Sequence, residues 1–568
     1  MKRVLYVPLD DRPVNIDDVI VQGKSAGIDV ITPNAHDIKN RLDSEKTVSG
    51  STVTSTSSPT FGKVENIYQF ILDKAECVDG FIISIDMLVY GGLIGSRRLR
   101  PGGCGDYPLY DSDTTYLLDV IRHLKQDYPS KPIFVLDTIM RLATTSYADG
   151  LWFEAYQESR SLMQQPRKQA TSFIDIVNGY DIKPDGTTFE DTIHFNKEHY
   201  YNTRRHKLQT TYYLLDQFVK EGLIDFLSIG VDDAYTEGVQ ANEIAWVENY
   251  VNTWLGGKGG QNPDRVIILP DADGLGHSLL ARMADYFYHC GKKRRYKVDY
   301  YGPHGSTITN PYEYMNVHEN MIHHIDIIGG EYVENGEFDL DVIAITDPEE
   351  IDAVILRLEA NGVNQKPTMI IDFTSGGAGN ETVTLGLLSS AYTGRLLGYS
   401  AWNTAGNKMG LSLGMGQARY AFLTSGTKDE ALLDWSLKAH GSLLFKRFLK
   451  DYDYKAVTIA EIRDVSRNLT PYTNVTSDQN MQLFNTANDF EEITVLLQER
   501  LIEQTESLAG QNAFSIGVSS ESFNVRKICG DAWQLIPYTW ASLEREDAYF
   551  TWRRAFEITV KPSVSFGC

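Results

Sequence analysis

Short apolar runs that end in aspartate recur along the chain and dominate its pattern of hydrophobic and polar positions. The runs VLYVPL, FIISI, IFVL, FLSIGV, VIILP and MII are followed by Asp10, Asp86, Asp137, Asp232, Asp271 and Asp372. Runs of this length, rich in Val and Ile, are typical of strands buried on both faces of a parallel sheet. A carboxylate at the C-terminal end of such a strand faces the crevice where α/β proteins bind ligands. The pattern therefore predicts one site formed by several acidic strand ends.

Amphipathic stretches lie between most of these runs. Apolar residues at helical spacing predict helices over 64–75, 114–126, 208–222, 277–291 and 348–362. Further strands are predicted over 28–32, 297–303, 342–346 and 396–400. This strand–helix alternation is typical of α/β folds with right-handed βαβ units. We expect a (β/α)8-barrel-like domain with insertions, and the alternative is a pair of doubly wound sheets facing each other across a cleft.

The character of the sequence changes near residue 425. Residues 1–424 are expected to form the barrel-like catalytic domain, with the Ser- and Thr-rich segment 44–62 as a surface insertion. Residues 425–568 contain long amphipathic stretches and few strand signals, so this part is predicted to be a mainly helical C-terminal region.

Charge and cysteine content exclude several classes of protein. The 568 residues carry a net charge of −23, which disfavours binding to nucleic acid or to an anionic membrane surface. The five cysteines are dispersed and form no CxxC pair, so neither a disulfide framework nor a structural zinc site is expected. No signal peptide or membrane span is recognisable. We therefore expect a cytoplasmic protein that needs no cofactor and acts on a small molecule or an oligosaccharide, with a monomer and a homo-oligomer both left open.

Adjacent aspartates at the end of a predicted strand are the leading catalytic candidates. Asp232 and Asp233 end the run FLSIGV, and neighbouring carboxyl groups in a poorly solvated crevice can differ in pKa, as acid–base catalysis requires. Asp86 and Asp137, at two other strand ends, are the candidates for a second catalytic carboxylate. For each of these residues the alternative is a structural role in capping a turn or a helix.

A second set of residues is predicted to bind the substrate. Charged candidates at strand ends are Asp10, Asp11, Arg12, Arg141, Asp271, Asp273 and Asp372. The segment GYSAWNTAGNKMG adds Trp402, Asn403 and Asn407, a combination that suits sugar recognition because the ring can stack on a pyranose face while amides bond its hydroxyls. A core tryptophan beside turn-forming asparagines is the alternative.

The segment PDADGLGH also fits a divalent metal site. Asp271, Asp273 and His277 would then bind Mg²⁺ or Mn²⁺, although the spacing matches no complete EF-hand or P-loop. A Gly-rich turn between a strand and a helix explains the same residues without a metal.

Three longer segments carry a family resemblance. YVPLDDRPVN, ISIDMLVYGGLIGSR and GYSAWNTAGNKMG together resemble a bacterial family catalogued as a domain of unknown function, and they span residues 6 to 410. The paired aspartates of FLSIGVDDAY are also similar to those of barrel-type hexosaminidases of the O-GlcNAcase and hyaluronidase sort. That likeness implies that one aspartate orients a 2-acetamido group while the other acts as general acid.

These observations favour a carbohydrate-active enzyme. The leading hypothesis is a glycoside hydrolase with paired strand-end aspartates, and N-acetylhexosaminides are its candidate substrates. A divalent-metal-dependent hydrolase or phosphoryl-transfer enzyme and a non-catalytic sugar-binding protein are the alternatives. No GxSxG elbow, complete Rossmann fingerprint or Walker A motif is present, which disfavours common esterases, nicotinamide oxidoreductases and P-loop ATPases.

Overall fold

Parallel strands form two separate sheets in the structure, a computed structural model that describes residues 1–40, 60–98, 112–145, 153–288, 293–469, 487–517, 522–530 and 532–567. The first sheet contains β1 (Lys2–Val7), β2 (Ile28–Ile31), β3 (Gly80–Ser84), β4 (Ile133–Ile139), β5 (Phe226–Val231) and β6 (Val266–Leu269). The second contains β7 (Arg295–Tyr301), β8 (Glu331–Tyr332), β9 (Leu340–Ile345), β10 (Thr368–Asp372) and β11 (Gly398–Ser400). The segment 44–62, predicted to be a surface insertion, lies almost entirely outside the described residues.

Helices connect the strands of each sheet. Those of the first half are α1 (Asp17–Ser25), α2 (Ala35–Ile38), α3 (Val64–Lys74), α4 (Ile85–Tyr90), α5 (Ser112–Asp127), α6 (Phe153–Met163), α7 (Phe173–Asn178), α8 (Lys197–Leu214), α9 (Val239–Trp254) and α10 (Leu275–Tyr288). The second half begins with α11 (Val317–Ile327), α12 (Ile351–Val363), α13 (Glu381–Leu388) and α14 (Ala405–Leu423). All five helices predicted from amphipathic spacing are present, although α8 begins eleven residues earlier than the predicted start at 208.

Strand order identifies both sheets as doubly wound. The first runs β2-β1-β3-β4-β5-β6 and the second β11-β10-β9-β7-β8, with parallel pairing throughout. In each sheet the order reverses beside the first strand, and ligands of such sheets bind outside the carboxyl ends of the strands. The apolar runs that the sequence shows are buried, as in β5, where all six residues are buried. Within each sheet, the carboxyl ends of the parallel strands therefore lie along one edge.

The predicted (β/α)8 barrel is not confirmed. In the part of the chain that the structure describes, β6 pairs with β5 while β7 pairs with β8 and β9, so the sheet is interrupted between β6 and β7. The alternative of two doubly wound sheets describes this arrangement. Both architectures consist of the same βα units, and strand–helix alternation alone does not distinguish them.

Helix α14 joins the two halves through three glycines spaced four residues apart. A Cβ on Gly406 would lie 2.0 Å from the backbone oxygen of Pro270, and one on Gly410 would lie 2.6 Å from the Cα of Gly274. At Gly414 the nearest atom would be 2.9 Å away, in His277. Since only glycine leaves room for such close backbone approach, α14 packs directly against the start of α10. This contact places the carboxyl ends of the two sheets beside one another.

Residues after 425 form helices followed by strands. They contain α15 (Glu430–Phe448), a π-helical segment (Leu449–Thr458), α16 (Ile459–Leu469), α17 (Ala487–Ala509), and the strands β12 (Phe523–Cys529), β13 (Ala532–Ser542), β14 (Ala548–Phe550), β15 (Ile558–Val560) and β16 (Ser563–Phe566). Apart from β15, which lies in the strand-like run FEITVKP, these strands went unpredicted because they are antiparallel and several are short or partly exposed. Helix α15 packs against α1, and its Lys446 and Arg447 both contact the buried carboxylate of Asp18. The predicted boundary between 424 and 425 remains a prediction.

Candidate active site

A cavity of about 560 Å³ lies where the carboxyl ends of the two sheets meet. Its walls come from the segments that follow β1, β3, β4, β5, β6, β7, β10 and β11, and the C-terminal region contributes further residues. Charged residues of its lining are Arg12, Arg97, Arg141, Asp232, Asp233, Asp271, Asp273, Glu313, Lys408, Lys455, Arg463, Arg554 and Glu557. This volume is within the range of small-molecule sites, roughly 300 to 1,000 Å³.

Arg12 organises the part of the wall that follows β1. Its guanidinium contacts Asp10, with Nε donating to Oδ2 at 2.8 Å, and also both carboxylate oxygens of Asp273 after β6. Asn15 donates from its side-chain nitrogen to Asp10 at 2.8 Å and to Asp273 at 3.1 Å. Burial raises the pKa of Asp273 to about 7; Arg12 opposes the rise and Asp10 adds to it. Two buried carboxylates thus share one guanidinium; Arg12 and Asp273 line the cavity, whereas Asp10 is fully buried and does not belong to the lining.

The adjacent aspartates at the end of β5 both line the cavity, in different surroundings. Asp232 contacts Arg97, and only 8% of its side chain is exposed. Asp233 accepts a hydrogen bond from Arg141 at 3.2 Å, and its side chain is 24% exposed. A φ of 42° at Asp233 shows that the extended strand has ended, so the strict alternation of strand side chains no longer applies. Burial raises the pKa of Asp233, with Asp232 adding to the rise and Arg141 and Arg97 opposing it.

Asp271 and two asparagines connect the halves of the protein at the cavity. Asp271 accepts from the backbone of Gly274 at 3.0 Å and from the amide nitrogen of Asn407 at 2.7 Å. Asn407 in turn accepts from Asn403 at 2.7 Å. Both asparagines line the cavity, as predicted for substrate contacts, and this chain of bonds also spans from the β6 loop to α14.

Trp402, by contrast, lies in the core. Its side chain is fully buried, packs with Val14 and Leu411, and is absent from the cavity lining. The ring is therefore not exposed for stacking on a sugar, in contrast to the interpretation of the GYSAWNTAGNKMG segment. The aromatic residues that do line the cavity are Tyr156, Tyr312, Phe373, Trp552 and Phe556.

Asp86 and Asp137 meet each other away from the cavity. Both contact Lys207 of α8: Asp137 in a close ion pair and Asp86 at 3.4 Å. Asp137 also accepts from Thr211 at 2.6 Å, and both carboxylates are fully buried. The structure thus gives the two predicted catalytic carboxylates a common buried cation and places neither in the cavity lining.

Asp11 and Asp372 have local roles at their strand ends. Asp11 accepts from the backbone of Asn40 at 3.1 Å and from the indole nitrogen of Trp552 at 2.9 Å, and burial raises its pKa to about 7. Asp372 accepts from the backbone nitrogens of Thr374 and Asn380, at 2.9 and 3.2 Å. Neither carboxylate belongs to the cavity lining.

The predicted metal cluster does not assemble around His277. One imidazole nitrogen of His277 contacts the side-chain oxygen of Gln22 and the other contacts the backbone oxygen of Val14, and burial lowers its pKa to about 4. Asp273 is engaged by Arg12, while Asp271 is engaged by backbone and amide donors. Across the described ranges, no group of three or more His, Cys, Asp or Glu residues is arranged to hold a metal ion.

Several ionisable residues of the cavity were not predicted from the sequence, among them Glu313, Lys408 and Lys455. Glu313 accepts from the backbone of Gly406 at 2.8 Å and from Asn320 at 2.9 Å, and burial raises its pKa well above the ordinary value. Lys408 lies in the first turns of α14, and Lys455 lies in the π-helical segment. These residues stand in loops or helices without any strand-end pattern, so periodicity could not identify them.

Comparison with known proteins identifies the family of the chain. No curated protein and no solved structure matches the chain. Among the described residues, no helix combines the length and the hydrophobicity needed to cross a membrane. The family model described as "Protein of unknown function (DUF4127)" matches residues 4–561, and the chain therefore belongs to this family.

Proposed function

We propose that the protein is a glycoside hydrolase whose cavity uses Asp233 as general acid and Asp232 to orient the substrate. The observation that carries this proposal is the pair of adjacent carboxyl groups in unequal surroundings at one strand end. Asp232 contacts Arg97 and is nearly buried, while Asp233 is more exposed and has a raised pKa. A proton donor needs a carboxyl group that retains its proton near neutral pH, next to a group with a different role.

The rest of the lining suits a polar, ring-shaped substrate. Asn403 and Asn407 present amide groups that can bond hydroxyls, and Tyr312 and Trp552 present aromatic surface. Such a mixture of aromatic faces and oriented polar groups is typical of sites for small molecules, including sugars. The substrate-orienting role of Asp232 would apply to the 2-acetamido group of an N-acetylhexosaminide.

The metal-dependent alternative has less support from the geometry. The oxygens of Asp271 and Asp273 already accept hydrogen bonds from protein groups, and both nitrogens of His277 have partners. A divalent cation at this position would need these bonds to break.

A panel of chromogenic glycosides tests the proposal. The panel includes N-acetylhexosaminides and is run with EDTA and with added Mg²⁺ or Mn²⁺, using wild type, Asp233→Asn, Asp232→Asn and the control Asp352→Asn. Asp352 is an exposed residue of α12, so its variant should retain full activity. We expect Asp233→Asn to lose about 100-fold or more in kcat, the usual contribution of a general acid.

The leaving group provides a second, more specific readout. The dinitrophenolate group of a dinitrophenyl glycoside leaves without protonation. Asp233→Asn should therefore be far less impaired on this substrate than on a methylumbelliferyl or alkyl glycoside. Equal loss on both substrates would place Asp233 in binding. No detectable hydrolysis of any glycoside by the wild type, or hydrolysis that requires metal, would refute the proposal. Ligand binding without turnover would indicate a sugar-binding protein.

A further inference from the structure

Two lysines of the cavity wall donate hydrogen bonds to backbone oxygens and form no ion pair among the described residues. Lys408 is 2% exposed and donates from Nζ to the backbone oxygen of Ser375 at 2.6 Å. Lys455 donates in the same way to the backbone oxygen of Phe556 at 2.6 Å, and its ammonium lies 3.8 Å from the centre of the Phe556 ring. Each ammonium has three donors, so both retain hydrogen-bonding capacity beyond these contacts.

The arginines on the other side of the cavity differ from these lysines. Arg12, Arg97 and Arg141 each form an ion pair with an aspartate of the lining. Within the described residues, Lys408 and Lys455 have no carboxylate oxygen within 4.0 Å, although the chain carries a net charge of −23. Among the residues that the structure describes, this acidic protein therefore places no carboxylate at ion-pair distance from two cations of one cavity.

The carboxylates that act most strongly on the two lysines are already engaged. For Lys408 this carboxylate is Asp372, which accepts from the backbone nitrogens of Thr374 and Asn380. For Lys455 it is Glu557, which forms an ion pair with Lys450. Asp451 acts on both lysines more weakly, and its carboxylate accepts from the backbone of Ala401 at 3.1 Å. Burial accordingly lowers the pKa of Lys408 to about 8 and that of Lys455 to about 7. Burying an ammonium group without a counter-charge costs free energy. Buried charged groups of this kind occur at functional sites, where a ligand supplies the missing charge.

The local backbone favours an anion at the same place. Lys408 lies close to the N-terminus of α14, where the helix dipole disfavours a cation and favours an anion. The neighbouring loop contains Gly376 and Gly377, and a Cβ on either residue would meet no atom within 4 Å. Open space therefore adjoins the lysine from the side of the β10 loop.

We infer that Lys408 and Lys455 bind an oxyanion, a carboxylate or a phosphate, carried by the sugar substrate. The inference rests on the proposed function and narrows its substrate class to hexuronic acids or sugar phosphates. Arg463 and Arg554 line the same cavity and add positive charge to it. The oxyanion site belongs to the second sheet and the C-terminal region, whereas the proposed acid, Asp233, belongs to the first sheet.

Binding measurements test this inference without requiring turnover. Isothermal titration of the full chain with glucuronate, glucose 6-phosphate, glucose and inorganic phosphate compares the two oxyanion sources with the neutral sugar. We expect one oxyanion sugar to bind about tenfold or more tightly than glucose, since a desolvated ion pair contributes at least that factor. Preference for glucuronate or for glucose 6-phosphate identifies the source.

Variants assign that preference to the two lysines. Lys408→Met and Lys455→Met should each reduce the affinity for the oxyanion sugar about tenfold and leave the affinity for glucose unchanged. Lys408→Arg should restore part of the loss, and Lys438→Met, at an exposed position of α15, should change nothing. Thermal unfolding of each variant shows whether it is folded. If Lys408→Met does not fold, the binding measurement with Lys455→Met tests the inference.

The inference and the proposed function can fail separately. Lysine-dependent binding of an oxyanion sugar without turnover of any glycoside would support the oxyanion site and refute the glycosidase. Equal affinity for glucose and both oxyanion sugars, no binding of any probe below about 10 mM, or lysine variants that behave like wild type would overturn the oxyanion site.

Discussion

Replacing Arg12 by methionine should destabilise the protein in a pH-dependent way. The guanidinium contacts Asp10 and Asp273, both at most 4% exposed, so its removal leaves two carboxylates buried without a cation. Loss of one partner of a buried ion pair costs about 3 to 5 kcal/mol. That is a large share of the roughly 5 to 15 kcal/mol that separates folded from unfolded protein.

The pH dependence follows from the raised pKa of Asp273. This pKa lies near 7 in the folded protein, while that of an exposed aspartate is 3.8. Below pH 7, Asp273 of the folded protein is protonated with or without Arg12. Asp273 therefore adds nothing to the stability that Arg12→Met loses in this range. Above pH 7, Asp273 of the folded wild type ionises beside Arg12. In the variant, Asp273 must either ionise without a cation or stay protonated. Either option costs free energy relative to the unfolded chain, in which Asp273 is ionised and exposed to water. The loss therefore grows by up to about 1.4 kcal/mol per pH unit.

Urea unfolding at pH 6 and pH 9 measures the effect. We expect the loss in the free energy of unfolding for Arg12→Met to be about 2 kcal/mol greater at pH 9 than at pH 6. In an Asp273→Asn background the difference between the two pH values should largely disappear. The control Arg500→Met removes an exposed, solvent-screened ion pair with Glu461 and should cost far less stability than Arg12→Met. An equal loss at both pH values would refute the reasoning.

Three further predictions use the same structure. Lys207→Met should cost about 3 to 5 kcal/mol of stability in urea unfolding, because it leaves two buried carboxylates without their cation. Gly406→Ala should lower stability by about 1 to 3 kcal/mol, since its Cβ would lie 2.0 Å from a backbone oxygen, whereas Gly376→Ala faces open space and should be nearly neutral. Arg141→Gln should raise the pKa of Asp233 and move the alkaline limb of the pH–rate profile upward, because Arg141 opposes the rise in that pKa; an unmoved limb would argue against Asp233 as the acid.

Sequence patterns identified one side of the cavity well. Arg12, Asp232, Asp233 and Asp271 all stand at ends of apolar runs, and parallel strands bring their carboxyl ends to the same edge of a sheet. The pattern identifies the position of a residue at a strand end, but it does not show which side chain that residue contacts. Asp137 illustrates this limit, because it ends a strand in the same way and yet contacts Lys207, a residue of a helix 70 positions away.

The GYSAWNTAGNKMG segment shows how a structural signal can resemble a binding motif. Its glycines at 406 and 410, continued at 414, repeat every four residues, which fits the closely packed face of a helix. Trp402 precedes that helix and is buried with it. Sequence could not reveal Lys408 as a cavity residue either, because the space beside it is created by the loop after β10 and by the C-terminal region.

The two chemical parts of the proposed site are held at a fixed distance. Asp233 follows β5 in the first sheet, and Lys408 lies on α14 beside the second. The glycine face of α14 packs against the start of α10, and the bond from Asn407 to Asp271 crosses the same junction. Interfaces this closely packed resist continuous deformation. The spacing between the acid and the oxyanion site should therefore select substrates by the distance between their anionic group and their glycosidic bond, with little adjustment by domain closure.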